Sequence, residues 1–149
     1  MGGPGYRDFE YTEAYAPIYR YKTADVPELW RRSIYRFVVR TTPQQFLTTL
    51  DCPNPANLTP ARAGTTTALQ ALALLNNEFM LQQAGYLGAR VEKEAGPTVP
   101  ARVRRAFEIV FVRAPTDHEA AGAEKLVSSH GLLALCRVLL NANEFLSVD

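Results

Sequence analysis

Cysteine is scarce in this chain, with two among 149 residues, and neither belongs to a CxxCH or a paired CxxC motif. A disulfide framework, a covalently attached haem and a cysteine-zinc site are thereby excluded. Charge of one sign is also lacking: 16 Lys and Arg against 15 Asp and Glu leave a formal net charge of +1. That balance removes the main electrostatic argument for nucleic acid or an anionic membrane as partner. Long apolar runs are missing as well. Stretches such as Ala71–Leu75 and Leu132–Cys136 fall far short of the roughly 20 residues that span a bilayer, so no membrane span is expected. The opening Met1 to Asp8 carries no apolar segment of the kind a secretory signal needs. What remains is ordinary for a folded protein, at 47% hydrophobic and 21% charged residues, and the length suits one domain, 1–149, with a sizeable core.

Aromatic residues are unevenly spread. Nine of them fall in the first 37 residues: Tyr6, Phe9, Tyr11, Tyr15, Tyr19, Tyr21, Trp30, Tyr35 and Phe37. Tyr15, Pro17, Tyr19 and Tyr21 share odd positions, the period of an extended strand, and Pro17 would confine that strand to an edge. Ser33–Arg40 reads either as a strand, with Tyr35, Phe37 and Val39 on one face, or as a helix with a Trp30, Ile34, Phe37, Val38 stripe. The β-branched and aromatic density favours the strand. The expectation is an aromatic-rich extended region over 1–41.

Helical spacing dominates 42–149. Pro43 opens a short helix over Gln44–Leu50, with Thr42 as its cap, and the Cys52-Pro53-Asn54-Pro55 run ends it. After a polar loop, Thr67 caps a helix carrying Leu69, Leu72 and Leu75, with Ala73 and Leu74 alongside. A second helix, from Glu78, stacks Met80, Ala84, Leu87 and Val91 until Gly96-Pro97. The pattern is cleanest at Val103, Ala106, Phe107, Val110 and Phe111. Thr116-Asp117-His118-Glu119 has the form of a capping box, and the helix it starts ends at His130-Gly131. The last helix carries Leu132, Leu135, Cys136, Leu139 and Leu140, with Leu133 and Val138 widening its apolar surface toward full burial. The fold class is mainly α: a bundle-like array of helices with a small extended, or β, N-terminal region. Leu74-Leu75-Asn76-Asn77-Glu78-Phe79 is echoed by Leu139-Leu140-Asn141-Ala142-Asn143-Glu144-Phe145. Each reads as a helix stopped by asparagine, followed by a phenylalanine that re-enters the core.

Two groupings look site-like. Arg62 with Thr65, Thr66 and Thr67 sets a guanidinium and three hydroxyls before a helix, where an anion or a sugar oxygen would meet free N–H groups. Helix capping, with Arg62 paired to a carboxylate such as Asp51, accounts for the same residues. Tyr15, Tyr19 and Tyr21, interleaved with Arg7, Arg20 and Arg36, form a candidate aromatic surface for sugar rings. Packing against the helical body, or against other polypeptide, is the favoured account of them. Asp51, Glu78 and Glu144 lie beside helix ends, where Glu78 and Glu144 suit the helix dipole. Neither His118 nor His130 has a partner at metal spacing. Cys136 belongs to a leucine stripe and Cys52 to a turn. No catalytic, metal-binding or cofactor-binding residues emerge, and no cofactor is expected in this chain.

Several ordered motifs resemble one family. They are Arg31-Arg32-Ser33-Ile34-Tyr35-Arg36-Phe37-Val38-Val39-Arg40, then Leu50-Asp51-Cys52-Pro53-Asn54-Pro55, then Thr65-Thr66-Thr67-Ala68-Leu69-Gln70-Ala71-Leu72. The echoed pair at Leu74–Phe79 and Leu139–Asp149 completes the set. Together they resemble the C-terminal part of the planctomycete-type domain of unknown function called PSD-one. The sequence departs from it at Ala61 and Ala68, and at Val112-Arg113-Ala114-Pro115-Thr116, where a family Gly-Arg-x-Pro-Thr turn has glycine in place of Val112. The resemblance implies an extracytoplasmic parent protein with a cytochrome-c-like module elsewhere. This chain would then be the C-terminal portion of a larger domain. The partners implied are other polypeptide, either the rest of such a protein or a second copy, and polysaccharide as the alternative.

Overall fold

A computed structural model describes residues 4–13, 15–23, 25–53, 57 and 67–146. The chain divides into two compact units, 1–70 and 71–149.

The N-terminal unit is built on a hairpin. Strand β1 (Phe9–Thr12) pairs antiparallel with β2 (Ile18–Tyr21), placing Phe9 opposite Tyr21 and Tyr11 opposite Tyr19. Of the odd positions expected to share a strand face, Tyr19 and Tyr21 do so, whereas Tyr15 and Pro17 precede the strand. The Tyr11 and Tyr19 rings lie 6.2 Å apart, and Phe9 meets the Tyr19 ring edge-on at 5.4 Å. Cross-strand aromatic contacts of this kind stabilise a two-stranded ladder that is marginal by itself. The strand begins only at Ile18, so Pro17 precedes the ladder and removes no bond from it.

Ser33–Arg40 is neither the strand nor the helix its pattern suggests. Ser33–Tyr35 forms a 3-10 turn, as does Pro27–Trp30. A single parallel bridge then links Tyr6 and Arg36, with Tyr6 N–H donating to the Tyr35 carbonyl at 2.9 Å and Phe37 N–H to that of Tyr6 at 2.8 Å. A period-2 pattern needs a partner strand along its length, and here the partner is one residue long. Helix α1 (Gln45–Thr49) follows. Its cap is Gln44, whose Oε1 accepts from the Leu47 N–H at 2.7 Å, and not Thr42. The Thr42 carbonyl instead accepts from the Tyr21 hydroxyl.

Helix α2 (Ala68–Asn76) leads into the second unit, which contains α3 (Glu78–Ala95), α4 (Val99–Phe111), α5 (Asp117–His130), α6 (Leu132–Leu140) and α7 (Asn143–Leu146). The expected stops hold. Asn77 caps α3 by accepting from the Phe79 N–H, and the Thr116–Glu119 capping box is complete in both directions. Gly96 and Gly131 end their helices at φ of +78° and +82°, a region that only glycine enters without strain. The core gathers Ala84 and Val91 of α3, Val103, Ala106 and Phe107 of α4, Ala123 and Val127 of α5, and Leu132, Leu135, Cys136, Leu139 and Leu140 of α6.

Three expectations about faces fail. Leu69, Leu72 and Leu75 are exposed, and α2 buries Gln70 and Leu74 instead. Leu133 and Val138 keep about half their surface in solvent, so α6 is buried on one side only. Phe145 is also exposed, because α7 is a single turn too short to carry it back inward.

Val112 closes α4 in the left-handed conformation, φ 59° and ψ 22°. A β-branched residue is strained there, and this is the position at which the resembled turn has glycine. Val112 is almost wholly exposed, so its side chain gives little packing in return. Val112→Gly is expected to raise stability by about 1 kcal/mol after glycine's own entropic cost. In a thermal melt that is a rise of roughly 2–4 °C, with Val112→Ala giving less.

Candidate functional site

Arg62, Thr65 and Thr66 lie outside the described residues. Thr67, the fourth member of that group, is committed to a helix cap. Its Oγ1 accepts from the Gln70 N–H at 3.2 Å, while Gln70 Oε1 accepts from the Thr67 N–H at 2.9 Å. The buried Gln70 side chain then donates through Nε2 to Asp51 Oδ2. This links the start of α2 to the turn after α1, where Asp51 sits at φ 54°.

The three tyrosines have different environments. Tyr15 is fully exposed. Tyr19 is half-buried between Phe9 and Tyr11. Tyr21 is half-buried too, spends its hydroxyl proton on Thr42, and has its titration pushed upward by burial and by the nearby Asp8 charge. Two arginines, Arg7 and Arg31, stack on rings of the same unit. Arg7 lies 5.2 Å from the Phe37 centroid, and Arg31 covers both Tyr6 and Tyr35. Such cation–π contacts use ring faces that a ligand would otherwise need. The solvent side of β1 retains an open concavity of about 420 Å³, lined by Arg7, Phe9, Glu10, Tyr11, Thr12 and Arg20.

Two charged clusters escaped the sequence reading. Asp8 is buried, with Arg36 Nε 3.2 Å from its Oδ2. Burial holds the Asp8 carboxyl above its ordinary range despite that guanidinium. No sequence signal joins positions 8 and 36, because the contact depends on the bridge between Tyr6 and Arg36. The other cluster centres on Arg113. Its guanidinium donates to both carboxylate oxygens of Glu119 at 2.8 and 2.9 Å, and to both of Glu144 at 2.7 Å. It also lies over the Phe107 and Phe111 rings. Paired carboxylates can serve acid–base chemistry when one is held neutral. Here Arg113 does the reverse, drawing Glu119 down to about 2 and Glu144 below its ordinary range. Both stay charged, and the cluster fastens α4, α5 and α7 together.

The other singled-out residues take local roles. Glu78 lies in the first turn of α3. His118 is exposed in the first turn of α5, and His130 contacts the Ser129 hydroxyl at its end. Cys52 is exposed. Cys136 is fully buried, which raises its thiol to about 11. Among the described residues, no group of three His, Cys, Asp or Glu is placed to hold a metal ion, and no helix is long and apolar enough to cross a membrane.

These features define a mainly helical module with a short aromatic hairpin at its N-terminal end. Residues 1–127 match the model of the PSD1 family, described as a protein of unknown function (DUF1553), and the chain belongs to that family. The closing Leu139–Asp149 motif lies beyond the matched stretch. No curated protein and no solved structure matches the chain.

The two clusters respond oppositely to acid. A carboxylate depressed in the folded state stabilises above its unfolded value and loses that contribution as pH falls through the folded value. For Glu119 the window runs from 4.5 down to about 2, with Glu94, Glu108 and Glu144 also lowered by arginine partners. Asp8, raised by burial, stabilises more once protonated. Thermal melts followed by helical circular dichroism should therefore fall between about pH 5 and about pH 2.5. Glu119→Gln should flatten the fall, and Asp8→Asn should leave it intact.

Proposed function

We propose that this chain is a non-catalytic structural and interaction module that docks against other polypeptide of a larger protein. The observation that carries this reading is the inverted face of α2. Leu69, Leu72 and Leu75 are 72%, 56% and 39% exposed, while Gln70 and Leu74 are each 7% exposed. At 100° per residue, the leucine triplet centres about 180° from the midpoint of the buried pair. The helix thus turns its better apolar stripe outward. Covering the exposed share of each leucine would contribute roughly 0.6–2 kcal/mol, least for Leu75, and an apolar stripe of this kind marks an interaction face. The family resemblance supplies the occupant: the remainder of an exported parent protein that carries a cytochrome-c-like module.

A second reading, a glycan-binding accessory module, is favoured by the concavity on β1. It combines the rings of Phe9 and Tyr11 with hydrogen-bonding groups on Arg7, Glu10, Thr12 and Arg20, the pairing of flat apolar and polar surface that sugar rings present.

The purified chain is expected to bind a hydrophobic dye or to self-associate in light scattering, and Leu69→Glu/Leu72→Glu should abolish either behaviour with helicity unchanged. A monodisperse monomer that binds no dye contradicts docking through α2. Retention on polysaccharide that disappears with Tyr11→Ala, and survives the leucine substitutions, would establish the glycan reading in its place.

A further inference from the structure

The N-terminal unit holds a second cavity that neither reading uses. It measures about 200 Å³ and is walled by Phe37, Val38, Val39, Pro43 and Leu47, with Arg36 and Arg40 also on its lining. Among the described residues, no carboxylate lines it. A cavity of about 150 Å³ lined by aliphatic and aromatic groups already accommodates benzene, so this one has room for a six-membered ring and one polar substituent.

The cations decide which substituent. Asp8 lies on one side of the Arg36 guanidinium, its Oδ2 3.2 Å from Nε, while Nη1 is buried with no hydrogen-bond partner among the described residues. Buried donors left unmade are costly and call for an acceptor. Arg40 is exposed and makes no ion pair among the described residues. A guanidinium fork beside an apolar wall matches a planar carboxylate on an apolar body. We propose that this cavity binds a small aromatic carboxylate of about the size of benzoate, its ring against Phe37, Val38 and Leu47 and its carboxylate on Arg36 and Arg40.

Cys52 lines the same cavity and is exposed, whereas Cys136 is buried in the helical core. Alkylation of Cys52 by iodoacetamide therefore reports occupancy of the cavity on the intact chain. A nine-heavy-atom ligand reaches about millimolar affinity, so ~10 mM sodium benzoate should slow Cys52 alkylation about tenfold. Benzylamine hydrochloride and benzyl alcohol at equal concentration and ionic strength should slow it less than twofold. Arg36→Lys should remove most of the protection. Because that variant also disturbs Asp8, Arg40→Gln is the second test and should weaken benzoate protection at least threefold, each rate being taken relative to the same variant without benzoate. Equal protection by all three compounds, or none by benzoate, overturns the proposal. So does full protection in both variants.

Discussion

The packing of α3 against α6 is the contact on which the rest of the second unit depends. Ala84, Gly88 and Val91 give α3 a flat, buried strip, and α6 answers with Leu132, Leu135, Cys136, Leu139 and Leu140. The Cys136 sulfur reaches within 3.8 Å of where a Gly88 Cβ would stand, so the two helices meet at ordinary van der Waals distance. Close packing of this kind makes each methylene count. Helices α4 and α5 complete the core around that seam. The charged clusters work at its edges: Arg105 ties α4 to Glu94 of α3, and Arg113 ties α4 to α5 and α7.

How much of this was legible depended on where the information lies. Stops and caps are local, so Asn77, Gly96, the Thr116–Glu119 box and Gly131 were readable from a few neighbouring residues. The buried stripe of α6 was readable because five apolar residues repeat at helical offsets. The faces of α2 were not. Its leucines satisfy the same periodicity on the wrong side, and only the burial of Leu74 and the Gln70–Asp51 hydrogen bond reveal which side is turned inward. Ser33–Arg40 failed for a related reason, since β propensity cannot say whether a partner strand exists. Of the candidate residues, Thr67 was legible as a cap, while the Asp8–Arg36 and Arg113–Glu144 pairs depend on contacts distant in sequence.

The two units solve the problem of burying charge differently. In the helical unit, ion pairs stay at the surface, where each arginine fork satisfies its carboxylates and little desolvation is required. In the N-terminal unit, a buried ion pair keeps unspent donors and an aspartate raised by its burial. Such an arrangement costs stability, and it leaves binding capacity in a small fold stabilised chiefly by aromatic contacts. The helical unit instead spends its polar groups on itself and leaves Leu72 and Leu75 of α2 outward. The proposed docking face and the proposed small-ligand cavity therefore fall on different parts of the chain, for different physical reasons.

The central claim is that the α3–α6 seam is the most stable part of the protein and that the outer face of α2 contributes nothing to it. Residue-resolved amide hydrogen exchange on the intact chain tests this most directly. The account predicts that the amides of Val91, Leu135 and Cys136 exchange slowest, through global opening of the helical unit, and that Leu69→Glu/Leu72→Glu leaves those rates unchanged. Equally slow exchange along β1 and β2, or acceleration of the α3 and α6 amides by the leucine substitutions, would contradict it.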